Sequence, residues 1–204
     1  MRTAIQIILT IAIIVLGYLL YESIMNPIRF NQVKDKRWDA TIERLKDVRT
    51  AQLAYKSEYG TFTGSFDTLI DFVKNDSFSV VKAIGFVPDS LTEMQALELG
   101  LVARDTIKVS VLDSLFKRNY HIDSLRYVPY TNGDTFAMAS GEITTGSKVE
   151  VEVFEAKVHN NVLLEGLDPQ LIANFSDERI TITGYAGLKV GSLTEATNNA
   201  GNWE

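Results

Sequence analysis

The residues best able to do chemistry in this chain are few, and their spacing suits no familiar reaction. There are two histidines, His121 and His159, and no cysteine. Thiol catalysis, thiolate metal sites, disulfides and the lipid-bearing cysteine of a bacterial lipoprotein are therefore excluded. A zinc site would need both histidines with carboxylates, for example His121 and Asp123 with the distant His159, and no regular ligand spacing joins them. Each histidine is expected to be a surface or hydrogen-bonded residue. A serine triad would need one of them near a serine on a sharp strand-to-helix turn, and no GxSxG is present. The segment GEITTGSK, Gly141 to Lys148, spaces two glycines like a phosphate loop but reverses its last two residues, Ser147 and Lys148. It also leads into a strand, where a phosphate loop needs a helix N-terminus, so a hairpin turn containing Gly146 is expected instead. Glu150 and Glu152 could do acid–base work, yet on an alternating strand they share one face, expected to be solvated. Asp76, Asp105, Asp134 and Asp177 fall in expected loops without calcium-loop spacing. No cofactor, no metal and no enzymatic activity are implied.

Aromatic residues offer a different kind of site. Tyr55, Tyr59, Phe62 and Phe66 cluster in YKSEYGTFTGSF, and with Trp38 they are candidates for contact with a partner protein. Tyr59 and Phe62 are equally suited to packing a helix end onto a sheet. A ligand-binding module would instead want a concave apolar pocket, for which Tyr127, Tyr130 and Phe136 are the candidate lining.

The elements that position these residues follow from hydrophobic periodicity. From Arg37 to Tyr59, Trp38, Ile42, Leu45, Val48, Leu53, Tyr55 and Tyr59 recur at helical intervals between charged residues, predicting an amphipathic helix stopped by Gly60. Ser65 is placed to cap a short helix over Phe66 to Val73. Beyond Asn75, FSVVKAIGFV, TIKVSVL, SLRYVPY, TFAMA, KVEVEVFEAKV and ITITGYAGLKV read as strands rich in β-branched and aromatic residues. SLRYVPY and TFAMA are expected to pair through a tight turn at Asn132-Gly133. In KVEVEV, Val149, Val151 and Val153 share one face, as in a half-exposed antiparallel strand. Two further helices are expected, over Leu91 to Leu99 and over Pro169 to Phe175, the latter capped by Asp168. Helices first and strands afterwards, without βαβ alternation, give an α+β fold in which an amphipathic helix packs on an antiparallel sheet.

The N-terminus reads as an anchor. From Thr3 to Tyr21 the chain runs about 19 residues without a charge, about 28 Å of helix against a hydrocarbon core of roughly 30 Å. No small-x-small cleavage site follows it, so a retained transmembrane helix is expected, with Tyr18 and Tyr21 at an interface. Gln6 and Gly17 are its candidate helix-contact residues: a polar amide and a small residue within an otherwise bulky apolar span. Pro27 is expected to end or kink this helix. The far flank carries Arg29, Lys34, Lys36 and Arg37 against Arg2 and the terminal amine, a count that points the domain inward. Those four charges begin some distance past the span, and a short N-terminus suits a signal anchor, so an extracytoplasmic domain is expected. The expected divisions are 1–26, transmembrane anchor; 27–192, soluble α+β domain; and 193–204, a flexible polar tail. A formal net charge of -6 argues against nucleic acid as a partner.

An apolar anchor followed by a helix ending RTAQLAYKSEYGTFTGSFDTLIDF and then by an antiparallel sheet resembles the type IV pilin and type II secretion pseudopilin group. The motif-level match covers Ile42 to Phe72. The processing signature of that group, a glycine before a methylated phenylalanine with a glutamate at the fifth mature position, has no counterpart in MRTAIQ, where neutral Gln6 is the only polar stand-in. The resemblance implies a pilin-like domain held in the inner membrane and facing the periplasm, and the missing signature suits a non-polymerising role better than a polymerising one. Its implied partners are membrane lipids and protein subunits of a secretion, motility or other envelope complex, further copies of the chain included. The alternative expectation is a periplasmic ligand-binding or sensing module on the same tether.

Overall fold

A computed structural model describes residues 2–85, 102–116, 120–146 and 148–204. Helix α1 runs without interruption over Arg2–Tyr59, 58 residues with Pro27 inside it. The expected division into two helices at Pro27 is therefore corrected. Proline at this position removes one amide donor, and its ring crowds the preceding turn, but the helical hydrogen bonds on either side carry the chain through. The two halves of α1 differ in surroundings. Ile5 to Ile24 stand exposed, and α1 is long and apolar enough to cross a membrane. From Phe30 onward the helix enters the domain, where Thr41, Leu45, Val48, Gln52 and Tyr55, spaced by four and three residues, line its inner face. Gln52 is wholly buried because Thr63 satisfies both ends of its amide: Nε2 donates to Thr63 O at 2.6 Å and Oε1 accepts from Thr63 N at 3.2 Å. Gly60, at φ +80°, ends the helix in the left-handed region, donating to Lys56 O.

Helix α2, Phe66–Asn75, buries Leu69, Ile70, Phe72 and Val73. Ser65 occupies its cap position, but its side chain makes no capping hydrogen bond. Strands β1 (Ser77–Gly85) and β2 (Val102–Ser110) form a two-stranded antiparallel sheet in a register running from Ser77 opposite Ser110 to Gly85 opposite Val102. The helix expected over Leu91 to Leu99 lies outside the described residues. A short helix α3, Val111–Leu115, and a 3-10 helix, Ile122–Arg126, follow. The strand expected from SLRYVPY is thus replaced by a 3-10 turn. Only a bridge between Tyr127 and Thr135 remains of the expected hairpin, with Gly133 at φ +101° in its loop.

The second sheet has the order β3-β4-β5, all antiparallel: β3 Ala137–Thr144, β4 Glu150–His159 and β5 Gly187–Gly191. The turn between β3 and β4 contains Gly146, closed by Thr145 N donating to Val149 O, so Gly141 to Thr144 is strand and Gly146 lies in a hairpin turn. The alternation in β4 is real, and both faces carry buried residues, Val153 on the expected face being only 5% exposed. Val149 is 55% exposed, whereas Phe154, Ala156 and Val158 enter the core, with the Phe154 ring 4.9 Å from that of Phe62. Hydrophobicity fell on both faces of this strand, and the helix side is set by the larger Phe154 and its neighbours.

Helix α4, Asn160–Leu163, leads through a turn to α5, Pro169–Thr183. Asp168 caps α5 by accepting from Gln170 N and Leu171 N, and Gly184, at φ +72°, closes it. The β-branched run ITIT, expected as strand, is therefore the last turn of this helix: the cap and the glycine stop outweigh local strand propensity. Residues 193–204 are not a loose tail. Gly201 bridges Val190, Lys189 N donates to Asn202 Oδ1 at 3.0 Å, Arg49 pairs with Glu204 at 2.5 Å, and Trp203 packs on the core.

Candidate functional site

Gln6 and Gly17 both lie on the exposed first half of α1. At 3.6 residues per turn, Thr3, Gln6, Thr10 and Gly17 fall within an arc of about 60°. Thr10 Oγ1 donates back to Gln6 O at 2.9 Å, a local bond that removes one hydroxyl from the apolar surface. The Gln6 side-chain amide has no hydrogen bond among the described residues, and the space beside the Gly17 backbone is open.

Where the helix meets the domain, α5 runs beside it. Asn26 Nδ2 donates to Asp168 Oδ2 at 2.9 Å, and Arg37 Nη1 donates to Leu163 O at 3.1 Å and Glu165 O at 3.0 Å. Farther along, Lys34 lies 4.7 Å from the Phe175 ring centre, and Phe175 meets Trp38 edge-on at 5.1 Å. The Arg179 guanidinium lies over the Trp38 ring, 5.3 Å from its centre. The hydrogen bond from Asn26, with those from the Leu171 and Gln170 amides, holds the Asp168 carboxyl below its usual range. The α4–α5 corner is thereby latched to the first turns of α1 beyond the apolar segment.

The five aromatic candidates have separate places, Phe66 being half-buried against the core. Trp38 is half-buried in the contact with α5, and Phe62 is buried against Phe154, so Phe62 offers no outer surface. Tyr55 and Tyr59 stack 4.7 Å apart and both meet Phe72 of α2 edge-on, at 5.2 and 5.8 Å. Tyr59 alone is largely exposed; its hydroxyl donates to Asp76 at 2.6 Å, which pushes its pKa up to about 12.

The titratable candidates do not converge on one centre. The exposed His121 precedes the 3-10 helix, while His159 caps α4, its Nδ1 accepting from Asn161 N at 3.1 Å. Asp123 pairs with Lys74 at 2.6 Å. Among the described residues no group of three or more metal-ligating side chains occurs. Glu152 stands directly across from Glu142 in the β3–β4 register, and a carboxyl–carboxyl hydrogen bond raises its pKa. A second polar cluster lies at the 3-10 helix. Tyr120 donates to Asp47 at 2.6 Å, and Arg44 binds both the carbonyl and the hydroxyl of Ser124. Burial raises the Asp47 carboxyl more than the Tyr120 bond and the Arg44 charge lower it.

Tyr127, Tyr130 and Phe136 differ in burial: Phe136 is in the core, and the two tyrosines are exposed, Tyr130 beneath Lys36. A surface cleft of about 580 Å³ lies elsewhere, between α4, α5 and the 164–168 turn. Its α5 wall is Pro169, Ile172, Ala173, Ser176, Asp177 and Ile180, one face at three- and four-residue spacing. That spacing, bracketed by Asp168-Pro169 and Gly184, is the sequence signal; ending α5 at Phe175 hid it.

Comparison with family models, with curated proteins and with solved structures gives no match for this chain.

Proposed function

We propose that the chain is a non-enzymatic, membrane-anchored structural or scaffolding subunit of a bacterial envelope complex, spanning the inner membrane once and holding its α+β domain in the periplasm. The observation that carries this reading is the continuity of α1. One helix of 58 residues, about 87 Å at 1.5 Å per residue, supplies both an exposed apolar segment of spanning length and the central element of the core. Its exposed half is explained by lipid; in water so large an apolar surface would drive association. The latch through Asn26, Arg37 and Asp168 supports a positional role, because it fixes the domain close to its anchor. The arc of Thr3, Gln6, Thr10 and Gly17 suits close approach of another transmembrane helix, where small residues and polar amides supply packing and hydrogen bonds. The likeness of Ile42 to Phe72 to pilin and pseudopilin helix ends favours a secretion, motility or pilus-like machine.

The test is affinity purification of the full-length protein from native membranes in mild detergent, with mass spectrometry of what co-purifies. Stoichiometric recovery of envelope proteins, weakened by Gln6→Leu, is the expected result. Recovery of a lone monomer overturns the scaffold reading.

A further inference from the structure

We propose that the first turn of α5, Asp168 to Gln170, is the part of the domain that lies against lipid headgroups, on a zwitterionic bilayer surface, a contact that rests on the reading of α1 as a membrane span. The domain begins where the apolar run ends. Tyr21 is followed by the charged Glu22, and Met25, Asn26 and Pro27 are already half-buried, so no spacer separates span from domain. Phe30, one turn farther on, belongs to the core. Asn26 lies five residues past Tyr21, about 7.5 Å at helical rise. The headgroup layer is about 5–8 Å deep on each side of the hydrocarbon. A helical side chain leans back toward the N-terminus, here toward the lipid, so the Asp168 carboxyl that Asn26 binds at 2.9 Å falls within that layer.

The direction of α5 is the second, independent observation. Asp168 meets Asn26, Phe175 meets Lys34 and Trp38, and Arg179 meets Trp38. From Asn26 to Trp38 α1 rises about 18 Å, and from Asp168 to Arg179 α5 rises about 16 Å. The two helices therefore run parallel, with the first turn of α5 at the lipid end and Ile182 at the far end. A tilt of about 20° would move α5, roughly 8–10 Å from the α1 axis, by about 3 Å toward or away from the bilayer, little against the ~18 Å between Gln170 and Ile182. Pro169 and Gln170 are exposed and uncharged. The Asp168 carboxylate is taken up by Asn26 and by the Gln170 and Leu171 amides, and Arg29, three residues beyond Asn26, is paired with Glu22 at 3.2 Å. A turn of this kind offers no free cation to select anionic lipid, so a zwitterionic surface is its complement.

The experiment uses the absence of cysteine from the chain, which lets one introduced thiol carry a bimane fluorophore without ambiguity. Three full-length variants, Gln170→Cys, Ile182→Cys and Leu16→Cys, all at exposed positions, are labelled, checked for unchanged circular dichroism and placed in phosphatidylcholine vesicles. The vesicles carry a nitroxide quencher either on the lipid headgroup, in both leaflets, or in the acyl chain. The expected result is loss of bimane fluorescence at position 170 with the headgroup nitroxide, no loss at 182 with either, and loss at 16 with the acyl-chain nitroxide. Loss at 16 with no more loss at 170 than at 182 overturns the contact and leaves the span standing. No loss at 16 removes the span and the contact with it. Quenching at 170 that requires added phosphatidylglycerol overturns the assignment to a zwitterionic surface.

Discussion

Replacing Phe154 with alanine tests the face of β4 on which the core is built. Its side chain is fully buried, and its ring lies 4.9 Å from the ring of Phe62. An aromatic side chain removes roughly 150–250 Å² from water, which at about 25 cal/mol per Å² gives an upper estimate of about 4–6 kcal/mol. Measured costs for buried Phe→Ala cluster at about 3–5 kcal/mol, the cavity included, so about 4 kcal/mol is expected. For a domain of this size each kcal/mol shifts Tm by roughly 2–4 °C, giving a fall of about 8–16 °C. The assay is thermal unfolding of the full-length protein in detergent, followed by near-UV circular dichroism. Val149→Ala is the matched control: the residue is 55% exposed, and its loss should stay within about 0.5 kcal/mol. A Phe154→Ala cost below about 1 kcal/mol, or a larger cost at Val149, would refute the buried face assigned to β4.

Three other outcomes are expected. The pKa of Glu152 is raised chiefly by its hydrogen bond to Glu142, so the folded chain binds that proton more tightly than the unfolded one. Its contribution is fully present below the unfolded carboxylate range and is lost as pH rises through the raised value; Glu152→Gln should flatten that decline in a plot of urea midpoint against pH. The Asp168 carboxyl is held low chiefly by Asn26, so its contribution is present above the unfolded value and fades as pH falls through the folded one. Asp168→Ala should lower Tm at neutral pH and remove this acid-side dependence, and an unchanged profile would break the latch argument. Deleting residues 193–204 removes Trp203 from the core and Glu204 from Arg49, so a clear drop in Tm is expected where a loose tail would give none.

What could be read from the chain beforehand divides along physical lines. The amphipathic half of α1 was legible because Trp38, Ile42, Leu45 and Val48 repeat at the helical period and Gly60 ends it. The Gly146 turn was legible from turn chemistry alone. Pro27 misled because a single missing amide does not end a helix stabilised on both sides. ITIT misled because β-branched residues favour strands locally, whereas the Asp168 cap and the Gly184 stop decide over fifteen residues. The inner face of β4 was ambiguous: Val149, Val151 and Val153 alternate as well as Phe154, Ala156 and Val158 do, and only the position of Phe62 distinguishes the two. The cleft depends on that longer α5 and on Ala186 arriving from the far side of Gly184, a contact that no local pattern encodes.

The uninterrupted α1 also determines how the molecule bears tension. A pull on the N-terminal end travels along the helix axis, past Pro27, and reaches Leu45 and Val48 without leaving the helix. Ahead of the core, the Arg37 and Asn26 bonds to the α4–α5 corner are loaded in shear, so several bonds share the strain. The helix is weakest where Pro27 leaves the Ser23 carbonyl without its amide partner. Under load the turn at residues 23–27 is expected to yield first, lengthening the helix while the core stays folded, so that stretching of the exposed segment and unfolding of the domain become separate events.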